Sequence, residues 1–433
     1  MKFMLQPGGN VTGTLRVPGD KSISHRSIML GSLAEGTTHV SGFLEGEDAL
    51  STLNAFRAMG VQIEGPEQGR VTIHGVGLHG LKAPNGPLDM GNSGTSMRLL
   101  SGLIAGQKFP ATLIGDISLS KRPMERVAKP LRLMGAQVDT QQGGRPPMTV
   151  SGGRLKGIHY DLPMASAQVK SCLLLAGLYA DGETSVTEPA PTRDHTERML
   201  RGFGYAVEQR GPATVAVRGG GKLSACNIEV PADISSATFY MVAASIAPGS
   251  DVTLTHVGIN PTRIGVINIL LLMGADLTLS NQREVGGEPV ADIRVRYAPL
   301  HGIDIPEDQV PLAIDEFPAL FIAAACANGV TTLRGAEELR VKESDRIQVM
   351  ADGLTTLGIK AEPTPDGIVI TGGQLGGGAI HSHHDHRIAM SFAVAALRAN
   401  APITIEDCDN VATSFPNFVE LARRAGIRLE VAT

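Results

Sequence analysis

The chain has 433 residues, of which 42% are hydrophobic and 19% charged, and its net charge is −5. This composition is typical of a globular protein long enough for two or more domains. A chain with this acidic balance, no Trp and only 4% aromatic residues lacks the basic excess and stacking rings of a nucleic-acid binder, so we exclude that class. No apolar run reaches the length of a membrane span and the Cys residues show no paired spacing, so we expect a cytoplasmic protein.

A helical pattern that ends in Gly and leads into a β-rich segment occurs six times. The first copy reads LSTLNAFRAMGVQIE and the last FPNFVELARRAGIRLEV. In the last copy Phe418, Leu421, Ala422 and Ala425 have the i, i+3, i+4, i+7 spacing of an amphipathic helix. We expect each Gly to end its helix with a positive φ, which glycine adopts without strain. The six are Gly60, Gly135, Gly204, Gly274, Gly358 and Gly426.

A second pattern alternates with the first, and it consists of a polar loop followed by an apolar helix rich in Ala and Leu. Its copies include SISHRSIMLGSLAEGTTHV and HHDHRIAMSFAVAALRANAPITI. Because these helices are apolar on nearly all sides, we expect them to be buried. The chain therefore consists of six α/β units of roughly 70 residues, which fit two sets of three with a boundary near residues 229–235.

The polar loops before the apolar helices carry residue types that bind phosphates and hydroxyl groups. The N–H groups at helix N-termini bind anions readily, so several such loops meeting at one place would form an anion site. The residues, loop by loop, are Lys21, Ser22 and Arg26; Asn92, Gly94, Thr95 and Arg98; Ser166, Gln168 and Lys170; Asp233, Ser235 and Ser236; and Asp315.

The sixth loop is HSHHDHRIAM, residues 381–390, with four His and one Asp in its first six positions. A metal site is one interpretation, but no spacing here matches a zinc pattern such as H-E-x-x-H. We favour an N-capped helix with solvated imidazoles beside one functional cation, Arg387. No metal is therefore expected.

Arginines stand where four outer helices begin, at Arg122, Arg193, Arg263 and Arg346. A cation at a helix N-terminus opposes the helix dipole and costs about 0.3 kcal/mol or more. Each can be paired with a nearby carboxylate such as Glu125 or Asp345. Several together in an acidic chain instead indicate ligands with more than one negative charge, because guanidinium groups bind phosphate and carboxylate in a bidentate manner.

Asp315, Glu343 and Lys21 are the candidate proton carriers. Asp315 lies in the apolar run PLAIDEFPALF, where an acid is either paired or perturbed, as in many active sites, although it can also be a helix N-cap. Glu343, in RVKESDR, is a candidate acid with an ordinary charge pair on a helix as the alternative. Lys21 follows a Pro-Gly turn in PGDKSISHR, where side chain and backbone can hold a phosphate together, although the Walker pattern is absent.

Eight segments follow one another along the chain: PGDKSISHR, GNSGTSMRL, KRPMERV, ASAQVKSCLLLAGL, PTRDHTERML, IDEFPALFIAAA, EELRVKESDRI and HDHRIAM. Together they resemble the EPSP synthase family of enolpyruvyl transferases over essentially the whole chain. The resemblance implies an α/β fold of two domains, each with three βαβαββ repeats around buried helices, an inside-out α/β barrel. It implies a first domain at residues 20–230, a second at 1–19 plus 231–433, and an active site in the cleft between them.

The family transfers the enolpyruvyl group of phosphoenolpyruvate to the 5-hydroxyl of shikimate 3-phosphate, in the shikimate pathway to chorismate. It does so by addition and elimination through a tetrahedral intermediate, without a metal or an organic cofactor. The resemblance therefore implies these two small anionic substrates and no cofactor. We expect a monomer that binds neither nucleic acid nor membrane.

Motif matches carry the family's site residues over to this chain. The resemblance implies contacts to shikimate 3-phosphate from Lys21, Ser22, Arg26, Ser166, Ala167, Gln168, Arg193, Asp315 and Lys342. It implies contacts to phosphoenolpyruvate from Lys21, Asn92, Gly94, Arg122, Gln168, Arg346 and Arg387. It makes Asp315 the base near the 5-hydroxyl and gives the other proton transfers to Glu343 and Lys21.

Some positions depart from patterns found in other members of the family. Thr413 stands where some members have a Lys that contacts phosphoenolpyruvate, Ala167 replaces the second Ser of a pair, and Arg193 occupies the region of a Tyr contact. These features resemble the glyphosate-tolerant branch, whereas Gly94 is usual in glyphosate-sensitive members.

Two alternatives stay open. UDP-N-acetylglucosamine enolpyruvyl transferases share the fold, but they begin with Lys-Asn where this chain has Lys21 and Ser22. They also usually carry a reactive Cys in the loop that here reads GDISLSKRP. The second alternative is a non-catalytic repeat protein that binds anions or a metal, which predicts no loss of activity when Asp315 or Glu343 is replaced by Ala.

Overall fold

The chain folds into two units, which are described separately. The computed structural model describes residues 1–433. Contacts within the chain group Met1–Pro18 with Pro231–Thr433 in one unit, here named the split unit, and Gly19–Val230 in the other, the continuous unit. The backbone therefore passes between the units twice, after Pro18 and after Val230.

Helices and strands alternate along the whole chain. The α-helices, α1 to α13 in order, are Lys21–Leu33, Glu47–Ala58, Gly94–Ala105, Glu125–Leu133, Ala167–Gly177, His195–Gly202, Ile234–Ile246, Gly265–Leu272, Val310–Ala313, Phe317–Cys326, Arg346–Thr356, His386–Ala395 and Phe418–Ala425. The 3₁₀ helices are Leu119–Lys121, Glu307–Gln309, Ile314–Glu316, Glu337–Val341, Ala396–Arg398 and Asp409–Thr413. The strands, β1 to β24, are Lys2–Leu5, Thr12–Leu15, Ala34–Ser41, Gln62–Glu67, Arg70–Val76, Leu88–Asp89, Pro110–Ile114, Gln137–Gln141, Arg145–Ser151, His159–Asp161, Glu183–Thr187, Val207–Arg210, Thr214–Arg218, Leu223–Ser224, Ile228–Glu229, Asp251–Gly258, Asp276–Val285, Glu288–Arg296, Val330–Leu333, Lys360–Thr364, Gly367–Thr371, Gly378–His381, Ile403–Glu406 and Leu429–Ala432.

The continuous unit contains three small sheets of the same design. Each has three antiparallel strands and a fourth strand that pairs in parallel at one edge. The orders are β14-β3-β5-β4, β6-β7-β9-β8 and β10-β11-β13-β12, and β15 also pairs with β3. Buried β-branched residues face each other across the hairpins, as Ile63 does with Ile73 and Val138 with Val150. The recurrence of one sheet design confirms the predicted repeat in this unit.

The split unit contains the other three sheets. Their orders are β17-β18-β16-β2, β19-β21-β20 and β22-β23-β1-β24. Strand β1 lies between β23 and β24, with Phe3 opposite Ile405 and Val431, and β2 runs parallel to β16. The N-terminal strands therefore complete two sheets whose other members come from the C-terminal half of the chain.

Each unit is built around three helices that are buried on nearly all sides. They are α1, α3 and α5 in the continuous unit and α7, α10 and α12 in the split unit, and α7 is buried at every position. Each unit thereby has a hydrophobic core of its own, and the prediction of buried apolar helices is confirmed. The stretch Glu307–Cys326 could cross a membrane by length and composition, but 67% of its apolar window is buried and it contains the core helix α10.

The outer helices end as the sequence predicts. The backbone angle φ is positive at all six predicted glycines, from 80° at Gly204 to 123° at Gly426. In α13, Phe418, Leu421, Ala422 and Ala425 form the buried face. Helix ends that reverse sharply in this way return the chain to the next strand of each repeat.

Candidate active site

The buried helices of the continuous unit begin with polar side chains. Asp20, Ser93 and Ser166 cap α1, α3 and α5 by accepting a hydrogen bond from the backbone N–H three residues further on. A side-chain cap satisfies only one of the N–H groups that lack helical partners, so others stay available to an anion. Three helix starts of this unit can therefore contribute backbone donors.

Side-chain hydrogen bonds fix the starts of α3 and α5 to each other. Arg98 Nη1 donates to Oε1 of Gln168 at 2.6 Å, and Gln168 Nε2 donates to Oγ1 of Thr95 at 2.8 Å. Gln168 follows Ser166 and Ala167, which open α5. The predicted residues of the second and third loops are thus brought together.

Arg26 is buried beneath the start of α1. Its Nε donates to Oγ1 of Thr196 at 2.7 Å, its Nη2 to Oγ of Ser171 at 3.0 Å, and its Nη1 to the carbonyl of Ser22 at 2.8 Å. Nη1 of Arg193, from the loop before α6, lies 3.5 Å from Oγ of Ser22. Two predicted cations and a predicted hydroxyl are therefore gathered at one helix start.

Arg122 approaches the start of α3. Its Nη2 donates to Oδ1 of Asn92 at 3.0 Å, and Asn92 Nδ2 donates to Oδ2 of Asp116 at 2.9 Å. The Nε of Arg122 is buried and has no hydrogen-bond partner in the chain. A Cβ at Gly94 would lie 2.9 Å from Nη1 of Arg98 and 3.1 Å from Nη1 of Arg122, so only glycine leaves both guanidinium groups in place.

Lys21 forms an ion pair with a residue that the sequence did not single out. Its Nζ contacts Oδ2 of Asp48, a buried residue in the first turn of α2. Oδ1 of Asp48 is buried and has no hydrogen-bond partner. Nothing in the segment GEDALSTL distinguishes this acid from an ordinary first-turn acid, because the pairing depends on how α1 and α2 pack.

In the split unit, Arg346 is the centre of a charged cluster. Its Nε donates to Oδ2 of Asp385 at 2.9 Å, its Nη2 to Oε2 of Glu343 at 2.7 Å, and its Nη1 to Oδ1 of Asp315 at 3.4 Å. Lys342 Nζ lies 3.8 Å from Oδ1 of Asp315. Both predicted acids therefore contact the same arginine, and Lys342 approaches one of them, Asp315.

Arg387 completes this cluster from the start of α12. Its Nη1 donates to the carbonyl oxygen of Asp315 at 3.2 Å, and its backbone N–H donates to Oδ1 of Asp385, the N-cap of α12. Three cations and three carboxylates are now adjacent: Lys342, Arg346, Arg387, Asp315, Glu343 and Asp385.

Burial and charge set the protonation of two of these groups. Burial alone would lower the pKa of Arg346, but the charges of Asp385, Glu343 and Asp315 outweigh it and raise that pKa. Burial would raise the pKa of Asp385, but the charge of Arg346 outweighs it and lowers that pKa. Asp385 is therefore a fixed anion, whereas the side chains of Asp315 and Glu343 remain 16% and 18% exposed and can reach a ligand.

Two sequence interpretations of this cluster need correction. Asp315 is not the N-cap of the following helix, because the 3₁₀ turn Ile314–Glu316 intervenes and Glu316 takes the cap position without a side-chain cap bond. His386 is not a solvated imidazole but is buried. The N-cap interpretation of the sixth loop is confirmed, because Asp385 caps α12.

Lys170 and the fourth loop, which the sequence predicts to bind anions, are engaged with residues of the protein itself. Lys170 is buried, and its Nζ lies 2.8 Å from Oε1 of Glu188 and 3.0 Å from Oε2 of Glu197. Burial raises the pKa of Glu197, and the charge of Lys170 offsets this only in part. In the fourth loop, Asp233, Ser235 and Ser236 are buried and Asp233 is paired with Arg263. The interpretation of these residues as ligand contacts is therefore wrong for Lys170 and for the fourth loop.

The histidine tract is held by local contacts. Nδ1 of His384 lies 3.2 Å from Oδ1 of Asp407, and the rings of His381 and His383 are 4.7 Å apart. No group of three or more His, Cys, Asp or Glu side chains in the chain is arranged to hold a metal ion. Nearby, Thr413 is buried and its hydroxyl donates to the carbonyl of Asn410 at 2.7 Å, so this hydroxyl is already engaged.

Comparison with known proteins gives a consistent family relationship. The sequence model of "EPSP synthase (3-phosphoshikimate 1-carboxyvinyltransferase)" matches residues 5–421. The chain is 70% identical to the 3-phosphoshikimate 1-carboxyvinyltransferase of Methylococcus capsulatus, over 99% of this chain and 98% of that protein. It is 69% identical to the enzyme of the same name from Alkalilimnicola ehrlichii, over 99% of this chain and 96% of that protein.

A solved structure extends the similarity to the fold. The EPSP synthase from Acinetobacter baumannii superposes with a TM-score of 0.90 at 66% sequence identity, and the match covers 100% of both chains. The two-domain α/β architecture expected from the sequence is therefore confirmed. Both units and all the residues described above lie within the matched region.

Proposed function

Because the chain belongs to the EPSP synthase family, whose members are 3-phosphoshikimate 1-carboxyvinyltransferases, we propose that it transfers the carboxyvinyl group of phosphoenolpyruvate to the 5-hydroxyl of shikimate 3-phosphate. The products are 5-enolpyruvylshikimate 3-phosphate and inorganic phosphate, on the route to chorismate and the aromatic amino acids. The strongest support for assigning this chemistry to particular residues comes from the charged cluster of the split unit. Two partly exposed acids, Asp315 and Glu343, flank a buried arginine among further cations.

The charge of the substrates accounts for the cations around the two sets of helix starts. Each substrate carries a phosphate and a carboxylate, and guanidinium groups and helix N–H donors bind such groups well. In the continuous unit, shikimate 3-phosphate contacts the residues that open α1 and α5 and the loop before α6. These are Lys21, Ser22, Arg26, Ser166, Ala167, Gln168 and Arg193, with Asp315 and Lys342 added from the split unit.

Phosphoenolpyruvate is bound by a second set of cations. Arg122 has a buried Nε with no partner in the chain, and the absence of a side chain at Gly94 leaves room beside it. An anion placed there receives donors from the guanidinium group and from the start of α3. The set consists of Lys21, Asn92, Gly94, Arg122, Gln168, Arg346 and Arg387.

The proton transfers follow from the positions of the acids. Asp315 accepts the proton of the 5-hydroxyl group while the oxygen of that hydroxyl group bonds to C2 of phosphoenolpyruvate. Glu343 donates a proton to the C3 methylene carbon of phosphoenolpyruvate. Phosphate then leaves C2 of the tetrahedral intermediate while C3 returns its proton to Glu343. Lys21 donates a proton to the departing phosphate, and proton exchange with solvent then restores Asp315 and Lys21. Lys342, Arg346 and Arg387 balance the negative charge that collects beside these acids, and each acid–base step contributes about 10²–10⁴-fold to the rate.

The residues proposed to contact each substrate include members of the continuous unit, Gly19–Val230, and of the split unit, Met1–Pro18 plus Pro231–Thr433. All proposed contacts come from one polypeptide, so we propose that the protein acts as a monomer, and we propose that it acts in the cytoplasm. The chain's own cations and acids cover the charge and proton requirements, so no cofactor is assigned.

Product analysis with two acceptors tests this function. The purified protein is incubated with phosphoenolpyruvate and either shikimate 3-phosphate or UDP-N-acetylglucosamine, and the products are identified by mass spectrometry. We expect the enolpyruvyl ether of shikimate 3-phosphate and no modified UDP-sugar. A modified UDP-sugar alone would assign the chain to the sister activity, and no product with either acceptor would support a non-catalytic binding protein.

A further inference from the structure

Arg263 differs from the other arginines that precede outer helices, because it takes no part in the proposed substrate contacts. It is only 3% exposed. Its Nη2 donates to Oγ of Ser235 at 2.8 Å and to Oδ1 of Asp233 at 3.1 Å. The same nitrogen lies 3.8 Å from Oε1 of Glu316. A position that resembles a ligand contact in sequence is therefore filled by partners from within the split unit.

Glu316 is the member of this group that is bonded directly to an active-site residue, because it follows Asp315 in the chain. It is 2% exposed and accepts a hydrogen bond from the hydroxyl of Ser235. It is also the last residue of the 3₁₀ turn Ile314–Glu316 and stands at the N-cap position of α10. Asp233, Ser235, Arg263 and Glu316 are named here the positioning cluster.

The residue before Glu316 is Asp315, the proposed base. In a 3₁₀ helix successive side chains point about 120° apart, because there are about 3.0 residues per turn. Because the Glu316 side chain points into the core, the Asp315 side chain points away from the core. The Asp315 side chain is 16% exposed. Anchoring Glu316 sets the direction in which Asp315 points.

Asp315 is held from its other side as well. Arg346 Nη1 lies 3.4 Å and Lys342 Nζ 3.8 Å from its Oδ1, and Arg387 Nη1 donates to its carbonyl oxygen at 3.2 Å. The contacts from the cations alone would pull the turn towards them. The positioning cluster opposes this from inside the unit, so the carboxylate is fixed between two sets of contacts.

The composition of the positioning cluster is not what stability alone would select. Burying an arginine with two acids costs several kcal/mol per ion in desolvation, and well-packed apolar residues often serve equally well. A hydrogen-bonded ion cluster does, however, fix geometry more narrowly than apolar packing. This fits a group whose role is to hold one turn in one orientation.

We propose that Arg263, Ser235 and Glu316 are positioning residues that orient Asp315 for proton abstraction, an inference that rests on the proposed role of Asp315 as base. None of the three touches substrate. Their effect on the reaction passes through the direction of the Asp315 carboxylate. Misplacement of a catalytic group by about 1 Å can reduce turnover about 10²-fold.

A double-mutant cycle tests this inference. Glu316→Ala, Asp315→Ala and the double variant are compared with the parent protein in kcat and in KM for both substrates. Glu307→Ala, an exposed acid nine positions before Glu316, is the matched control. Thermal unfolding of each variant checks the fold, and Glu316→Gln, which keeps the hydrogen bond from Ser235, provides a conservative comparison.

We expect Glu316→Ala to lower kcat about 10²-fold with both KM values within about twofold of the parent. In the Asp315→Ala background the same substitution should change kcat less than about twofold, because the group it positions is gone. Glu316→Gln should recover most of the lost kcat, and Glu307→Ala should behave as the parent.

Equal losses from Glu316→Ala in both backgrounds would overturn the inference and leave a purely structural role. If Glu316→Ala does not fold, the same cycle with Ser235→Ala decides, because that variant removes one hydroxyl and leaves the charges of Asp233, Arg263 and Glu316 in place. Full activity of Asp315→Ala would instead remove the base assignment itself. The failure of the proposed mechanism is thus distinguished from the failure of the positioning role.

Discussion

Arg346 illustrates how a single buried charge can organise an active site. A buried ion without partners costs several kcal/mol, and Arg346 avoids this by contacting Asp315, Glu343 and Asp385. Two of the three acids also lie close in sequence to another cation, Glu343 to Lys342 and Asp385 to Arg387. Removing one carboxylate therefore leaves the arginine with two, so single substitutions of these acids should report on chemistry rather than on folding.

Replacing Asp315 by Ala should lower kcat about 10²–10⁴-fold, because the proposed base is lost. The KM for shikimate 3-phosphate should change little, since most proposed contacts to that substrate are elsewhere. Steady-state kinetics with both substrates measures this, and Asp308→Ala, an exposed acid in the same region, is the control. Unchanged turnover would show that another group takes the hydroxyl proton.

Replacing Arg122 by Ala should chiefly weaken phosphoenolpyruvate binding. The lost charge-assisted hydrogen bonds correspond to about a 10- to 100-fold higher KM for phosphoenolpyruvate. Affinity for shikimate 3-phosphate, measured by calorimetry, should match the parent. Lys129→Ala removes an exposed cation of the same region and should change neither value. An unaltered KM for phosphoenolpyruvate in Arg122→Ala would remove this residue from the site.

At the scale of helices, the two units begin their buried helices differently. In the split unit, acids occupy all three N-cap positions, at Asp233, Glu316 and Asp385. In the continuous unit, α1 also begins at an acid, Asp20, but α3 and α5 begin at Ser93 and Ser166. An acid neutralises the positive end of the helix dipole, whereas a serine leaves it available to an anion. The split unit thus has an acid at the start of every buried helix, whereas two of the three buried helices of the continuous unit begin at a serine.

The start of α3 gives a direct test. A methyl group at position 94 would contact the ends of Arg98 and Arg122, which are flexible and can move aside. Gly94→Ala should therefore fold with nearly the parent's thermal midpoint but raise the KM for phosphoenolpyruvate about tenfold or more. Gly202→Ala, in α6 where an added Cβ meets no neighbouring atom, is the control. Parent-like kinetics in Gly94→Ala would show that the guanidinium positions do not matter for this substrate.

His25 links three helices of the continuous unit and gives a prediction about pH. Its Nδ1 lies 2.7 Å from Oγ1 of Thr52 and 3.3 Å from Oγ of Ser96. Burial, and then the charges of Lys21 and Arg26, hold its pKa well below 6.5. The folded protein therefore binds this proton less readily than the unfolded chain does, and stability falls as the pH drops below 6.5.

His25→Asn should keep a polar contact with Thr52 and remove this dependence. Below about pH 6.5, the parent should lose up to about 1.4 kcal/mol of unfolding free energy per pH unit more than the variant does. Denaturant unfolding at several pH values measures the difference. His39→Asn replaces an exposed histidine and should retain the parent's slope. Equal slopes in the parent and His25→Asn would mean that His25 can be protonated in the folded state.

Local patterns in the sequence were sufficient for the elements but not for their partners. The glycines that end the outer helices and the apolar helices of the cores follow from spacing and composition, so both were predicted. The ion pairs of Lys21 with Asp48 and of Lys170 with Glu188 and Glu197 were not, because they join residues from different helices and loops. Packing between residues that are distant in sequence also decides whether an arginine such as Arg263 contacts a ligand or a buried acid.

At the scale of the whole molecule, one repeat serves two purposes. Six sheets of similar design, three in each unit, support six buried helices. The repeat fixes where the helices start, and the residues at those starts then differ enough to provide cations, hydroxyls or acids. The family relationship covers both units, so the proposed reaction depends on the chain as a whole.

Phosphate release shows whether the protein carries out the proposed transfer. The purified protein is treated with EDTA and mixed with phosphoenolpyruvate and shikimate 3-phosphate, together and separately, and inorganic phosphate is measured. We expect release only when both substrates are present, at a rate that EDTA does not change, because cations of the chain itself bind the anions. Release that needs no shikimate 3-phosphate, or that is lost with EDTA and restored by a divalent metal, would contradict this account.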